Sequence, residues 1–349
     1  MAAVDDRTGT SARPELRPYG AVKKGYTYFA EGDILFAKIT PCMQNGKHAI
    51  ARGLIDGVGF GTTEFHVLRP GPAITAEWVH SFIRQPWVLE EATRYFTGAV
   101  GQQRVPEGFL ADLGMPLPPL PEQRRIAGIL KEQMAEVEKA RAATEAQLEA
   151  ARALPFSYVR QSYSDGPIIR RRLADCLVET KHGVGSSWAD FRVLGATRSG
   201  IAPAKEKVGK YPERYKLADA GTVFYNPMRI LLGSIALVDD GDESGITSPD
   251  YVVFKGRDGV MSSRWFYYWL RSEQGAAFIR SLARGAVRER ILFPRLAEAE
   301  VASPSWKAQV QAAERMIGLR SAVGRLESQM EIVDKLPAAL LRQAFSGEL

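Results

Sequence analysis

Leu117-Pro118-Pro119-Leu120-Pro121-Glu122-Gln123-Arg124-Arg125-Ile126-Ala127-Gly128-Ile129-Leu130 is the stretch on which the fold turns. Its prolines hold the chain extended, and Glu122, Gln123 and Arg124 then open a helix. From Pro121 to Leu154 no further proline intervenes and Gly128 is the only glycine. Ala, Glu, Gln, Lys and Arg dominate this span, and all of them are strong helix formers. Its apolar positions fall into heptads, with Met134 and Leu148 at a and Leu130, Val137 and Ala151 at d. Arg141 and Thr144 are the polar exceptions. The expected rod is roughly 50 Å long and needs an apolar surface to lie against. A bundle would provide one, and the sequence itself offers another.

A second heptad helix closes the chain, with Met316, Val323 and Met330 at a and Leu319, Leu326, Val333 and Leu340 at d. The segments ahead of the two helices also correspond. Ala220-Gly-Thr-Val-Phe-Tyr225 answers Glu31–Phe36, Thr247–Phe254 answers Thr62–Leu68, and Trp265–Arg271 answers Trp78–Arg84. Gly285–Ile291 answers Gly98–Val105, and Leu336-Pro337 through Ser346 answers Leu154-Pro155 through Ser164. The chain is therefore two copies of one unit, a globular module followed by a long helix. The expected fold class is mixed α/β (α+β): two globular domains related by a pseudo-twofold, separated by two long antiparallel coiled-coil helices. The boundaries expected are 1–118, 119–164, 165–304 and 305–349, with residues 1–18 a poorly ordered lead-in. Short strands are expected at Ile34–Ile39 and Thr62–Leu68, and a helix over Ala76–Tyr95 divided at Pro86. Trp78, Val79, Phe82, Ile83 and Trp87 cluster on one side of that helix, and the aromatic runs 78–82 and 265–269 read as core. The first copy lacks a counterpart to Pro167–Ala189.

At 349 residues, 45% hydrophobic and 25% charged, the chain has the composition of a globular protein with more than one domain. No apolar run is long enough to span a bilayer, and Met1–Arg7 does not read as a signal peptide. Two cysteines and four scattered histidines make neither a disulfide framework nor a zinc site. A cytoplasmic setting is expected. The net charge of +6 suits an anionic partner without requiring one.

Enzyme signatures are only approached. Asn226-Pro227-Met228-Arg229 departs from the Asn-Pro-Pro-aromatic motif of amino-methyltransferases at its third and fourth positions. Pro249-Asp250 with Val253-Phe254-Lys255 lacks the second acid of a nuclease motif. There is no phosphate-binding Gly-x-x-x-x-Gly-Lys loop, zinc constellation or nucleophile elbow. Residues suited to DNA do lie on the loops. Gln102, Gln103 and Arg104 sit among glycines that let a loop approach a partner; Gln can pair with adenine and Arg with guanine in the major groove. Their counterparts are Arg288, Glu289 and Arg290. Lys38, Gln44, Asn45 and Lys47 form a second polar cluster, answered by Asn226 and Arg229. Lys205, Lys207, Lys210 and Arg214 form a basic stretch suited to phosphates. Singly each is an ordinary solvated loop residue; as a set repeated in both copies they favour DNA.

Over nearly its whole length the chain resembles the specificity subunits of type I restriction–modification systems. The resemblance rests on Gly32–Pro41, Gly61–Leu68, Thr97–Pro106, Leu117–Ile126 and Leu341–Leu349. It implies a non-catalytic subunit whose two target-recognition domains each read half of a bipartite DNA site. The helices would set the spacing and dock two modification (methyltransferase) subunits, with Glu122, Gln123, Arg124 and Arg125 as partner-binding residues. Restriction (translocase/nuclease) subunits would join that complex. S-adenosylmethionine, ATP and Mg would sit on those partners, and no cofactor or metal in this chain. A rod of roughly 50 Å would suit half-sites about one helical turn apart. Ser303–Gln309 departs from the first copy's Pro-Leu-Pro-Glu-Gln-Arg segment, and the first domain is shortened. The alternative is a protein-binding scaffold, or a decayed or anti-restriction relative whose first domain no longer reads DNA.

Overall fold

The computed structural model describes residues 1–11, 15–204, 208–283 and 290–349. The chain divides into two compact units, Met1–Glu145 with Ser328–Leu349 and Ala146–Glu327. In chain order the first unit contains α1 (Tyr19–Val22), β1 (Thr27–Ala30), β2 (Ile34–Ala37), β3 (His48–Ile50), β4 (Val58–Gly61), β5 (Phe65–Leu68), α2 (Ala76–Ile83), α3 (Pro86–Arg94) and α4 (Glu107–Ala111). The long α5 (Leu120–Ser162) begins there and ends in the second unit. The second unit continues with β6 (Ile168–Arg172), α6 (Leu173–Cys176), β7 (Leu177–Glu179), β8 (Arg192–Thr197), β9 (Gly200–Pro203), β10 (Lys216–Ala218), β11 (Val223–Tyr225), β12 (Ile235–Leu237), β13 (Gly245–Thr247) and β14 (Val252–Gly256). There follow α7 (Ser263–Arg271), α8 (Glu273–Ala283), α9 (Phe293–Ala297), β15 (Glu300–Pro304) and α10 (Trp306–Ser346), whose last turns belong to the first unit.

In the first unit β2 lies between β3 and β5, antiparallel to both. All four of its residues are buried, which explains an unbroken apolar run where a half-exposed strand would alternate. Ile34 and Phe36 face Phe82, Ile83 and Val88 of α2 and α3. Leu35 and Ala37 join Phe29 and Phe65 in a separate cluster. The second unit repeats the plan with β12-β11-β14 and adds β7 beside β14. Val223 and Tyr225 pack with Trp265 and Phe266 of α7, while Phe224 packs with Leu194, Ala218 and Val253. The aromatic runs are core, as expected: Trp78 and Trp265 are 2% and 1% exposed. Trp87 is the exception; it meets Phe82 edge-on at 5.7 Å and stays half exposed.

Two expectations need correction. The rods are longer than the expected 50 Å: α5 runs 43 residues through Pro155 and α10 runs 41 through Pro337. Each is about 60 Å long by its rise. An interior proline costs one backbone hydrogen bond, and burial of Ala151 and Val159 on either side of Pro155 offsets that loss. Nor is the lead-in loose over residues 4–7. Val4 is buried against the Phe29 cluster, Lys47 Nζ reaches the Val4 carbonyl, and Arg84 donates to the carbonyls of Asp6 and Arg7.

The heptad reading holds in packing. Leu130, Val137, Thr144 and Ala151 are all buried. Thr144, polar at a core position, satisfies itself by donating to the Ala140 carbonyl (2.9 Å) and accepting from Gln329 Nε2 (3.3 Å). Within the first unit the helices run antiparallel, Arg141 meeting Asp334 at 2.9 Å. Within the second, Arg152 meets Glu327 at 2.6 Å and Arg315 meets Gln161 at 3.1 Å.

Candidate nucleic-acid interface

Two of the predicted loop clusters of the first unit come together. After β2 the chain continues through Lys38, Ile39 and Thr40, and residues 103–105 pair with it as a short clasp. Val105 N–H donates to the Lys38 carbonyl (2.9 Å), Thr40 N–H to the Gln103 carbonyl (2.9 Å), and Ile39 bridges Arg104. The loop carrying Gln102 is closed by a second bridge, Thr97 to Arg104. Gly98 and Gly101, both at positive φ, let it turn this tightly. Gln44, Asn45 and Gln102 are exposed, Gln103 is half-buried, and Lys47 is held at Val4.

Arg104 is not a free base-reader. Its Nε and Nη2 grip Glu64 at 2.9 and 2.8 Å while Nη1 donates to the Gln102 carbonyl. The guanidinium hydrogen bonds hold the Glu64 carboxyl below the usual carboxylate range. Arg104 thus fixes the loop, which leaves the Gln102 side chain exposed and Gln103 half-buried. Glu64 itself escaped the sequence reading; its only signal is its place just ahead of β5.

In the second unit one bond of the clasp recurs: Ile291 N–H donates to the Pro227 carbonyl at 3.2 Å, setting Arg290 beside the loop after β11. Arg229 and Arg290 are exposed. Asn226 is less available than expected, because its carboxamide oxygen accepts Met228 N–H (2.9 Å) and caps the turn. Lys210 lies over the Tyr211 ring at 5.6 Å, and Arg214 is exposed nearby. Lys205, Lys207 and Arg288 lie outside the described residues.

The four residues expected to meet a partner divide. Arg124 is exposed, and Glu122 pairs with Arg125 at 2.8 Å. Gln123 is buried and structural: Oε1 accepts Thr75 N–H at the start of α2, and Nε2 donates to the carbonyls of Ala73 and Pro118. It cannot reach a partner. Gln309 does the same work in the second unit, accepting Ser262 N–H at the start of α7 and donating to Val260 and Pro304. The apparent departure of Ser303–Gln309 thus conserves the glutamine that pins each long helix to its head. The far end of the other helix completes each head. Phe345 packs on Trp78 (4.3 Å), and Tyr163 on Trp265 (5.9 Å), whose indole N–H donates to Ser162 Oγ (2.9 Å).

Among the described residues no cluster of His, Cys, Asp or Glu could hold a metal ion, and no helix is long and apolar enough to cross a membrane. A family profile described as "Type I restriction modification DNA specificity domain" matches residues 15–149. The Type I restriction enzyme EcoEI specificity subunit of Escherichia coli is 42% identical over 135 residues, 38% of this chain. That match spans 23% of the relative, so the chain matches less than a quarter of its length. A solved structure from work on complex assembly and conformational transition of the type I R-M system covers 100% of this chain and 90% of its own, at 17% identity and TM-score 0.68. The HsdS subunit from Thermoanaerobacter tengcongensis covers 100% and 89%, at 17% identity and TM-score 0.56. The chain thus shares its fold with these solved structures over its whole length, and residues 15–149 match the type I restriction modification DNA specificity domain.

Proposed function

We propose that the chain reads a bipartite DNA sequence for a type I restriction–modification complex, each head contacting one half-site through its clasped loop pair. The observation that carries this reading is the clasp itself. In the first unit a loop carrying Gln102, Gln103 and Arg104 is pinned by backbone hydrogen bonds against the loop leaving the central strand, and in the second Ile291 N–H bonds the Pro227 carbonyl at the matching place. That arrangement presents side chains on a rigid base, which direct readout of base edges requires. The chain acts without catalysis of its own. Two modification subunits dock on the long helices, with Arg124 an available contact, and restriction subunits join them. S-adenosylmethionine, ATP and Mg belong to those partners.

The test replaces Gln102 and Gln103 by Ala and maps the adenines methylated by the assembled complex. One half of the recognised sequence is expected to relax while the other stays fixed. Retention of both halves overturns the loop assignment.

A further inference from the structure

We infer that the loop entering β1, with Lys23, Lys24 and the aromatic group Tyr19–Phe60–Tyr28, is a phosphate-tracking DNA contact of the first unit. This rests on the DNA-reading function proposed above. A basic stretch, Lys205 to Arg214, lies ahead of β10 in the second unit of the sequence. The strand register supplies the counterpart. Phe29 pairs with Gly59 in β1–β4 as Ala218 pairs with Gly245 in β10–β13, so residues 19–26 enter the first sheet where residues 208–215 enter the second.

The position is right for DNA held by the clasp. Thr27 pairs with Gly61 at the end of β4, and Thr62–Glu64 follow directly. The Glu64 carbonyl takes the Lys38 N–H, and its carboxylate holds Arg104. Lys24, three residues before Thr27, is therefore within about 10 Å of chain from that strand end. Lys23 and Lys24 are exposed, and neither ammonium has a hydrogen-bond or ion-pair partner among the described residues. Tyr19 and Tyr28 both meet Phe60 edge-on at 5.8 Å while remaining 67% and 49% exposed. In the second unit the position of Phe60 is held by Ile246, which is buried and paired to β8; no strand covers that edge of β4 among the described residues. Exposed tyrosines beside unpaired lysines fit a polyanion, with hydroxyl and ammonium donors for phosphate and apolar ring for sugar.

The test titrates the full chain with a mixed-sequence DNA duplex at several salt concentrations, comparing wild type, Lys23→Gln/Lys24→Gln and Lys23→Arg/Lys24→Arg. The Gln variant is expected to bind about tenfold more weakly at about 0.1 M salt, with the slope of log affinity against log salt reduced by about 1.8, and the Arg variant to restore both. An unchanged slope in the Gln variant, with wild type binding DNA, overturns this contact and leaves the clasp reading intact. A wild-type chain that binds no duplex overturns both. Self-association that is abolished by Tyr28→Ser, with DNA affinity unmoved, makes the patch a protein interface and likewise overturns the proposal.

Discussion

The residues that set the first head in place are buried polar groups, and their substitution separates structure from DNA reading. Gln123 leaves three backbone groups unpartnered if its amide is lost. Gln123→Leu is expected to destabilise the first unit by about 2–4 kcal/mol, read by urea unfolding, and Gln309→Leu to do the same in the second. His48 and His80 give a pH signature. His48 is buried and stacked on Phe36 at 4.1 Å, and burial lowers its pKa from 6.5 to about 3. His80, bonded to the His48 carbonyl at 3.1 Å, is lowered to about 4, again chiefly by burial. Both are neutral when folded and take protons when unfolded. Their stabilisation is therefore complete above about pH 6.5 and is lost as pH falls toward 4 and 3. Thermal unfolding of the first unit should drop steeply between about pH 6.5 and 4, and His48→Phe should flatten that slope.

At the scale of elements, what was legible in the sequence was what local pattern controls. The heptads located the helix seams, and the repeat located β2 and β5 with their counterparts β11 and β14, while β3, β7 and β12 carried no such signal. The corrections came where a long-range contact decides. Past Pro155 a long-range contact sustains the helix, because Val159 is buried in the core of the second head. Arg104 read as a free guanidinium because its partner, Glu64, lies 40 residues away. Gln123 read as surface for the same reason, with Thr75 lying 48 residues back. Pro155→Ala is expected to restore one helical hydrogen bond and add about 1–3 kcal/mol to the second unit, seen as a higher melting temperature. Failure of α5 to gain stability would mean that the ring's own packing outweighs the missing bond.

For the whole molecule, chain order and compactness disagree, and the disagreement can be tested. The sequence reads head, helix, head, helix, whereas the first unit is built from residues 1–145 together with 328–349. Those last residues are core. Leu341 and Ala344 are buried with Trp78, Ile126 and Leu130, and Phe345 sits between Trp78 and Phe82. The second unit contains none of them and is complete at Glu327. Ending the chain at Glu327 strips the first head of Leu341, Ala344 and Phe345 together with Leu340 and Leu349, a loss of at least about 5–8 kcal/mol if the first three count as partial core truncations. That is as large as the whole stability of many domains. The expected outcome in limited proteolysis is rapid digestion of residues 1–145 with a protected fragment covering 146–327, whereas the full chain resists in both. Protection of both regions in the shortened chain would show that the end of α10 is a passive cover and that the first head folds without it.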